Sequence, residues 1–194
     1  MTAPKRRALI IISSAREFAI AEPADATPIS TGFYLVELAQ VLKEFEGEYD
    51  FTFATPDGNA PQLDINGLSL AFHATDKLAT ATITTTLGQR RRNFSVDRFR
   101  QRHGGLAARR EEELLLLERH LGQVPVSDVL PNTEREIAAL HPELVARLSQ
   151  LPQRTFPSIE ALVRRHRDPL DDFSLDSFDF IHAPGGHAPM VDFV

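Results

Sequence analysis

Few residues in this chain combine a reactive type with a telling position. Glu37 lies on or beside the apolar face of a helical pattern, between Tyr34 and Val41 and near the helix start. A carboxylate there can move protons, with burial raising its pKa and the positive end of the helix lowering it. Its ordinary reading is a boundary carboxylate that reaches water. Gly185-Gly186-His187 is the second feature, at the end of an alternating strand pattern. Paired glycines let backbone N–H groups approach a ligand as closely as an oxyanion site requires, and the imidazole adds a donor or acceptor. The ordinary reading is a plain strand-to-helix turn, and His182, on the strand ahead of it, reads as a core or edge histidine.

The absences are as informative. The 194 residues contain no Cys, which excludes disulfides and thiolate metal sites and removes the commonest strong nucleophile. The 7 His are dispersed without His-x-x-x-His or His-Glu-x-x-His spacing, so no metal site is expected. There is no Gly-x-Gly-x-x-Gly and no phosphate-binding loop ending in Lys-Ser/Thr, which disfavours nucleotide binding, and no cofactor is expected. A net charge of -6 gives no general attraction for nucleic acid or an anionic membrane, so neither is an expected partner. The apolar run Ala8 to Ile12 is too short for a signal-peptide core or a membrane span, and a cytoplasmic protein is the expectation.

The elements that must position Glu37 and the Gly-Gly turn follow from periodicity. Arg7 to Ser13 is a branched aliphatic run, the pattern of a central parallel strand buried on both faces. Tyr34, Leu38, Val41, Leu42 and Phe45 share one helical face, with Gly47 as a stop, and Asp50 to Thr55 reads as a second strand. The Asn-, Asp-, Pro- and Gly-rich stretch from Pro56 to Asn66 reads as a long ordered loop. Ala79 to Thr86 is Thr-rich, and Arg90 to Arg110 is Arg-rich with Phe94 and Phe99 between arginines. That stretch admits an anionic partner with base stacking on Phe94 and Phe99. The blander reading, a solvated helical face neutralised by Glu111, Glu112, Glu113 and Glu118, suits the acidic chain better. Helices are expected over Leu106 to Leu121, over Thr133 to Leu151 in two pieces broken by Pro142, and over Ser158 to Arg167. Ser177 to Ala183 then returns to the core as a strand.

Taken in order, Thr31-Gly-Phe-Tyr-Leu-Val-Glu37-Leu, Tyr49-Asp-Phe-Thr-Phe-Ala-Thr-Pro-Asp-Gly58, Pro61-Gln-Leu-Asp64 and Phe178-Asp-Phe-Ile-His-Ala-Pro-Gly-Gly-His-Ala-Pro-Met-Val-Asp192 resemble the ThiJ/PfpI superfamily. The nearest branch is that of heat-shock chaperones and glyoxalase III. The resemblance covers roughly the first seventy residues and the last seventeen, and the ordered combination is far more specific than any one piece. It implies an α/β fold with a flavodoxin-like parallel sheet, class I glutamine amidotransferase-like, incomplete at the C-terminus and carrying a helical insertion. The matching division is 1–75 for the N-terminal part of the core, 76–175 for a mostly helical insertion and 176–194 for the return to the core. Glu37 matches the family's helix carboxylate, and Gly185, Gly186 and His187 match its oxyanion and substrate-binding turn. Ala188 stands where the pattern has a final glycine.

The family's nucleophilic Cys belongs to a later strand-turn-helix unit and is not in this sequence. The expectation is therefore a fragment of a longer protein or a truncated product, inactive alone and marginal in stability. The complete form would be a cofactor-independent glyoxalase III-like lyase, or a related hydrolase or deglycase, acting on a small reactive carbonyl such as methylglyoxal. The alternative is a chaperone-like or degenerate non-catalytic protein whose Leu-rich insertion meets clients. In the isolated chain, sheet edges left uncovered by the missing elements would invite aggregation or formation of a homodimer.

Overall fold

The apolar run Ala8 to Ile11, after two arginines at the strand's more exposed start, makes Arg6–Ile11 (β1) fit where both of its faces are buried. In the computed structural model it is the central strand of a parallel sheet, with Tyr49–Ala54 (β4) on one edge and Phe180–His182 (β5) on the other. The structure describes residues 5–20, 27–74 and 89–193, and the Thr-rich stretch Ala79 to Thr86 lies outside them. Glu17–Phe18 (β2) and Ile29–Ser30 (β3) form a separate antiparallel ribbon.

Side-chain alternation along β1 divides the core. Ile10 and Ile12 face Leu35–Phe45 (α1) and Gly104–Leu121 (α3), meeting Leu38, Leu42, Leu114, Leu117 and Leu121. Leu9 and Ile11 face the other way, toward Leu162 of Ile159–Arg167 (α5) and toward Phe173 and Phe178. The chain is thus α/β with helices on both faces of a parallel sheet. Each fully buried leucine contributes about 1.5–3 kcal/mol of transfer free energy, so the α1–α3 layer is a main source of stability. Although α3 falls within the expected insertion, it shares one continuous core with β1 and α1.

Local signals fix several boundaries. Ser158 caps α5, its Oγ accepting from the Ala161 N–H at 3.1 Å. Before β5, Leu175–Ser177 makes a 3-10 turn, with Ser174 Oγ accepting from the Asp176 N–H. Asp179 then accepts from Arg6 and from the Arg7 N–H, so β5 is shorter than the expected Ser177 to Ala183.

The Thr133 to Leu151 region corrects an expectation. It contains one helix, Arg135–Leu148 (α4), that runs through Pro142. The proline cannot donate to the Ala138 carbonyl, a loss that with ring crowding costs about 3 kcal/mol. Ala138 lies on the exposed side, where water can satisfy that carbonyl. The buried stripe Ile137, Leu140, Leu144 and Leu148 holds the helix on both sides of the proline.

Charged pairs lock the helices together. Glu136, fully buried at the start of α4, accepts from Arg110 of α3 at 2.8 and 3.0 Å and from Arg100 of Val96–Arg102 (α2) at 2.7 Å. Its backbone N–H donates to Gln89 Oε1, and Arg110 also donates to the Leu68 carbonyl. Burial pushes the Glu136 carboxyl up, but the two guanidinium groups outweigh it and hold the group below the ordinary carboxylate range. The expected solvated, locally neutralised arginine face is therefore only partly present. Arg110 and Glu113 are buried, and Glu111 and Glu118 pair with Arg147 from α4 rather than with the arginines ahead of them.

Glu136→Gln leaves two arginines short of their counter-ion in a buried place and should cost about 3 kcal/mol at neutral pH. A lowered folded-state pKa stabilises above the unfolded value and loses that contribution as pH falls through the folded value. The gap between the two proteins in urea unfolding should therefore be full near pH 7 and narrow below about pH 4.3, the unfolded glutamate value.

Candidate functional site

Parallel strands of an α/β sheet converge their carboxyl ends on one edge, and a crevice forms where successive strands leave the central one in opposite directions. Here β4 and β5 flank β1, so the segments after all three strands meet there. After β5, the Gly185 N–H donates to Glu37 Oε2 at 2.5 Å, and the Gly185 carbonyl accepts from the Tyr34 N–H at 3.2 Å. The turn is thereby fastened to the first turn of α1 from both sides. His182 Nε2 lies 3.3 Å from the Glu37 carbonyl.

The turn requires both glycines, for different reasons. Gly186 has φ +118, a conformation that L side chains rarely adopt, and a Cβ there would meet the Gly32 carbonyl oxygen at 2.6 Å. At Gly185 a Cβ would meet Glu37 Oε2 at 2.4 Å, so the conflict is with the candidate carboxylate itself. Ala188 needs no such freedom. It is fully buried with φ -56 and ψ -42, an ordinary right-handed helical conformation at the cap of Pro189–Asp192 (α6).

His187 is exposed, with its ring edge-on to Tyr34 at 6.0 Å and tilted against Phe18 at 6.4 Å. Tyr34 meets Phe72 on another side at 5.7 Å. Burial first, then the charges of Asp64 and Glu37, push the Tyr34 phenol pKa up, so it stays a neutral donor well above physiological pH. Asp64, almost fully buried, accepts from the Asn66 N–H and from Thr31. Burial nevertheless raises its carboxyl above the ordinary range. A cleft of about 310 Å³ opens beside Tyr34 and Phe72 and reaches Ser69, Thr133 and Glu134.

A second polar cluster holds the neighbouring strand ends. Asp192 accepts from Ser13 Oγ at 2.6 Å and from the Ser14 and Ala15 N–H groups at 2.9 and 3.1 Å. Ser14 Oγ donates to Asp57 Oδ1 at 2.6 Å. Burial pushes the Asp57 carboxyl up, but hydrogen bonds from Ser14 and Asn59 hold it below the ordinary range.

Glu37, Gly185, Gly186 and His187 thus stand at one edge of the sheet, Glu37 and Gly185 in direct contact and His187 reached through Tyr34. Reasoning from sequence gave Tyr34 only a place on an apolar face and assigned no role to Asp64 or Asp192. The available signal was that all three lie inside the strings that carry the resemblance. Among the described residues, no group of three or more His, Cys, Asp or Glu is placed to hold a metal ion. Nor among them is any helix long and apolar enough to cross a membrane. Compared with family models, with curated proteins and with solved structures, the chain matches none.

Gly186→Ala, blocked by backbone, should cost about 1–3 kcal/mol. Gly185→Ala, which only has to displace a side chain, should cost less. Gly47→Ala has nothing within 4 Å of its added carbon and serves as the neutral control. Urea midpoints of the three variants check this ranking.

Proposed function

We propose that Glu37 and the Gly185-Gly186-His187 turn are the proton-handling and carbonyl-binding part of a cofactor-independent, glyoxalase III-like site. The core that carries it is read as flavodoxin-like, of the class I glutamine amidotransferase-like kind found in the ThiJ/PfpI superfamily. The observation that supports this is the contact of the Glu37 carboxylate with the Gly185 N–H at the carboxyl edge of a parallel sheet. The substrate would be a small α-oxoaldehyde such as methylglyoxal.

In that chemistry a thiolate adds to the aldehyde carbon and gives a hemithioacetal. Glu37 takes the proton from that carbon and returns it to the adjacent one, and water then releases the hydroxy acid. The net change is addition of one water to methylglyoxal, giving lactate, with no external oxidant or reductant. The developing oxyanion competes with Glu37 for the Gly185 N–H, and His187 lies edge-on to the neutral Tyr34 ring beside the same turn. The sequence has no Cys, so this reading assigns the thiol to a part of the protein outside these residues or to another chain.

Lactate formation from methylglyoxal is the test. Protein that includes the thiol should turn over, Glu37→Gln should lower the rate about 10²–10⁴-fold, and this chain alone should give none. Undiminished turnover in Glu37→Gln removes the carboxylate from the mechanism.

A specific observation favours a non-catalytic alternative. Ile181 of β5 and Met190 of α6 are 61% and 60% exposed, with Val191 and Phe193 also exposed nearby in the chain. Leu114, Leu116, Leu117 and Leu121 of α3 are buried and only Leu115 of its leucine run is exposed, so under this reading the surface for clients or a second copy is at β5 and α6 rather than on the leucine-rich helix. Under this reading the chain slows aggregation of a thermally unfolded client, Ile181→Lys with Met190→Lys abolishes the effect, and Glu37→Gln leaves it intact. Protection that survives both lysines would sink it.

A further inference from the structure

Between Arg90 and Arg110 the chain carries eight arginines and one carboxylate, Asp97, although the protein as a whole has a net charge of -6. The structure sorts these arginines into two groups. Arg100, Arg109 and Arg110 turn inward and pair with Glu136, Glu143 and Glu113. Arg90, Arg91, Arg92, Arg98 and Arg102 are exposed, and none has a carboxylate partner among the described residues.

Arg91, Arg98 and Arg102 line one small cavity of about 140 Å³ with Asn93 and Ser95. Arg98 and Arg102 are four residues apart in α2, which puts them on one face of the helix, while Arg100 points away from them to Glu136 and Glu143. The Phe94 and Phe99 rings pack on each other at 5.3 Å, and the Arg135 guanidinium donates to the Arg91 carbonyl, adding a fourth cation beside the cavity. Like charges lining one cavity repel, and among the described residues Arg91, Arg98 and Arg102 make no salt bridge that relieves them.

We propose that this cavity is a binding site for a phosphate group, distinct from the Glu37 site and independent of its chemistry. Guanidinium groups present forked donors that match phosphate oxygens, which suits them to this ligand better than lysines. The cavity holds roughly four to five waters' worth of volume, the scale of a phosphate's five heavy atoms. Phe99 is buried, and it packs on His103 at 4.7 Å as well as on Phe94, so its ring is not offered for base stacking. The ligand is therefore a phosphate monoester or free phosphate rather than a nucleic-acid strand.

The test is an NMR titration of the full chain at constant ionic strength with inorganic phosphate, with a short peptide containing phosphoserine, and with chloride as the control. Saturable shifts of the Phe94, Ser95 and Arg98 amides are expected with a phosphate-bearing ligand and not with chloride. Tighter binding of free phosphate points to a small molecule, and tighter binding of the peptide to a modified protein segment. Arg98→Gln with Arg102→Gln should weaken binding at least tenfold while the thermal midpoint holds, because α2 is anchored by Phe99 and Arg100. Arg91→Gln, outside the helix, should weaken it independently. Shifts equal to those with chloride, or full affinity in both variants, would overturn the proposal.

Discussion

β1 has neighbours on both hydrogen-bonding edges and apolar contacts on both faces, and the other elements take their positions from that demand. An extended run of Leu and Ile cannot meet water on either face without losing most of its driving force, so helices must cover it twice. The chain supplies α1 and α3 for one face and α5 with Phe173 and Phe178 for the other. The parallel pairing then forces long crossovers, and these bring the ends of all three strands to a common edge. The location of Glu37 and the Gly-Gly turn follows from the burial of β1.

The helices beyond β4 solve a different problem. Three of them, α2, α3 and α4, converge on a single buried carboxylate, Glu136, which accepts from two guanidinium groups. Removing a carboxylate from water costs several kcal/mol, and the forked contacts offset that cost only when all three helices sit correctly. The network therefore rejects misplaced helices more than it adds net stability. It also tolerates Pro142, because α4 is held by Ile137 and Glu136 ahead of the proline and by Leu144 and Leu148 after it.

Much of this was legible from residue patterns. The aliphatic run of β1, the apolar face of α1 and the Gly-Gly turn carry strong local signals, and β1, β4, α1, α3 and α5 lie close to where periodicity put them, whereas periodicity gave no sign of α2 or of the β2–β3 ribbon. Pro142 misled because local propensity says nothing of the packing that overrides it. Arg110 and Glu113 misled because charge runs are usually solvated, and only tertiary contacts distinguish a buried guanidinium from an exposed one. The site was half legible. Glu37 and Gly185 could be singled out by type, but their contact, and the roles of Tyr34, Asp64 and Asp192 around it, depend on segments far apart in sequence.

That separation bears on the order of events during folding. Glu37 and Gly185 are 148 residues apart, and Ser13 and Asp192 are 179 apart. Closing such loops carries a large entropic cost that local contacts do not share, so the helical layers can assemble before this edge does. On a ribosome, β1 and α1 emerge long before the segment that bonds to them at this edge. In the finished protein the same geometry makes residues 180–193 a natural unit of partial opening: loss of that short segment would release Glu37, Ser13 and Ser14 together while the α1–α3 core stayed folded. The amides of Gly185, Ser14 and Ala15 would then exchange with solvent as a set, faster than those of the central helices.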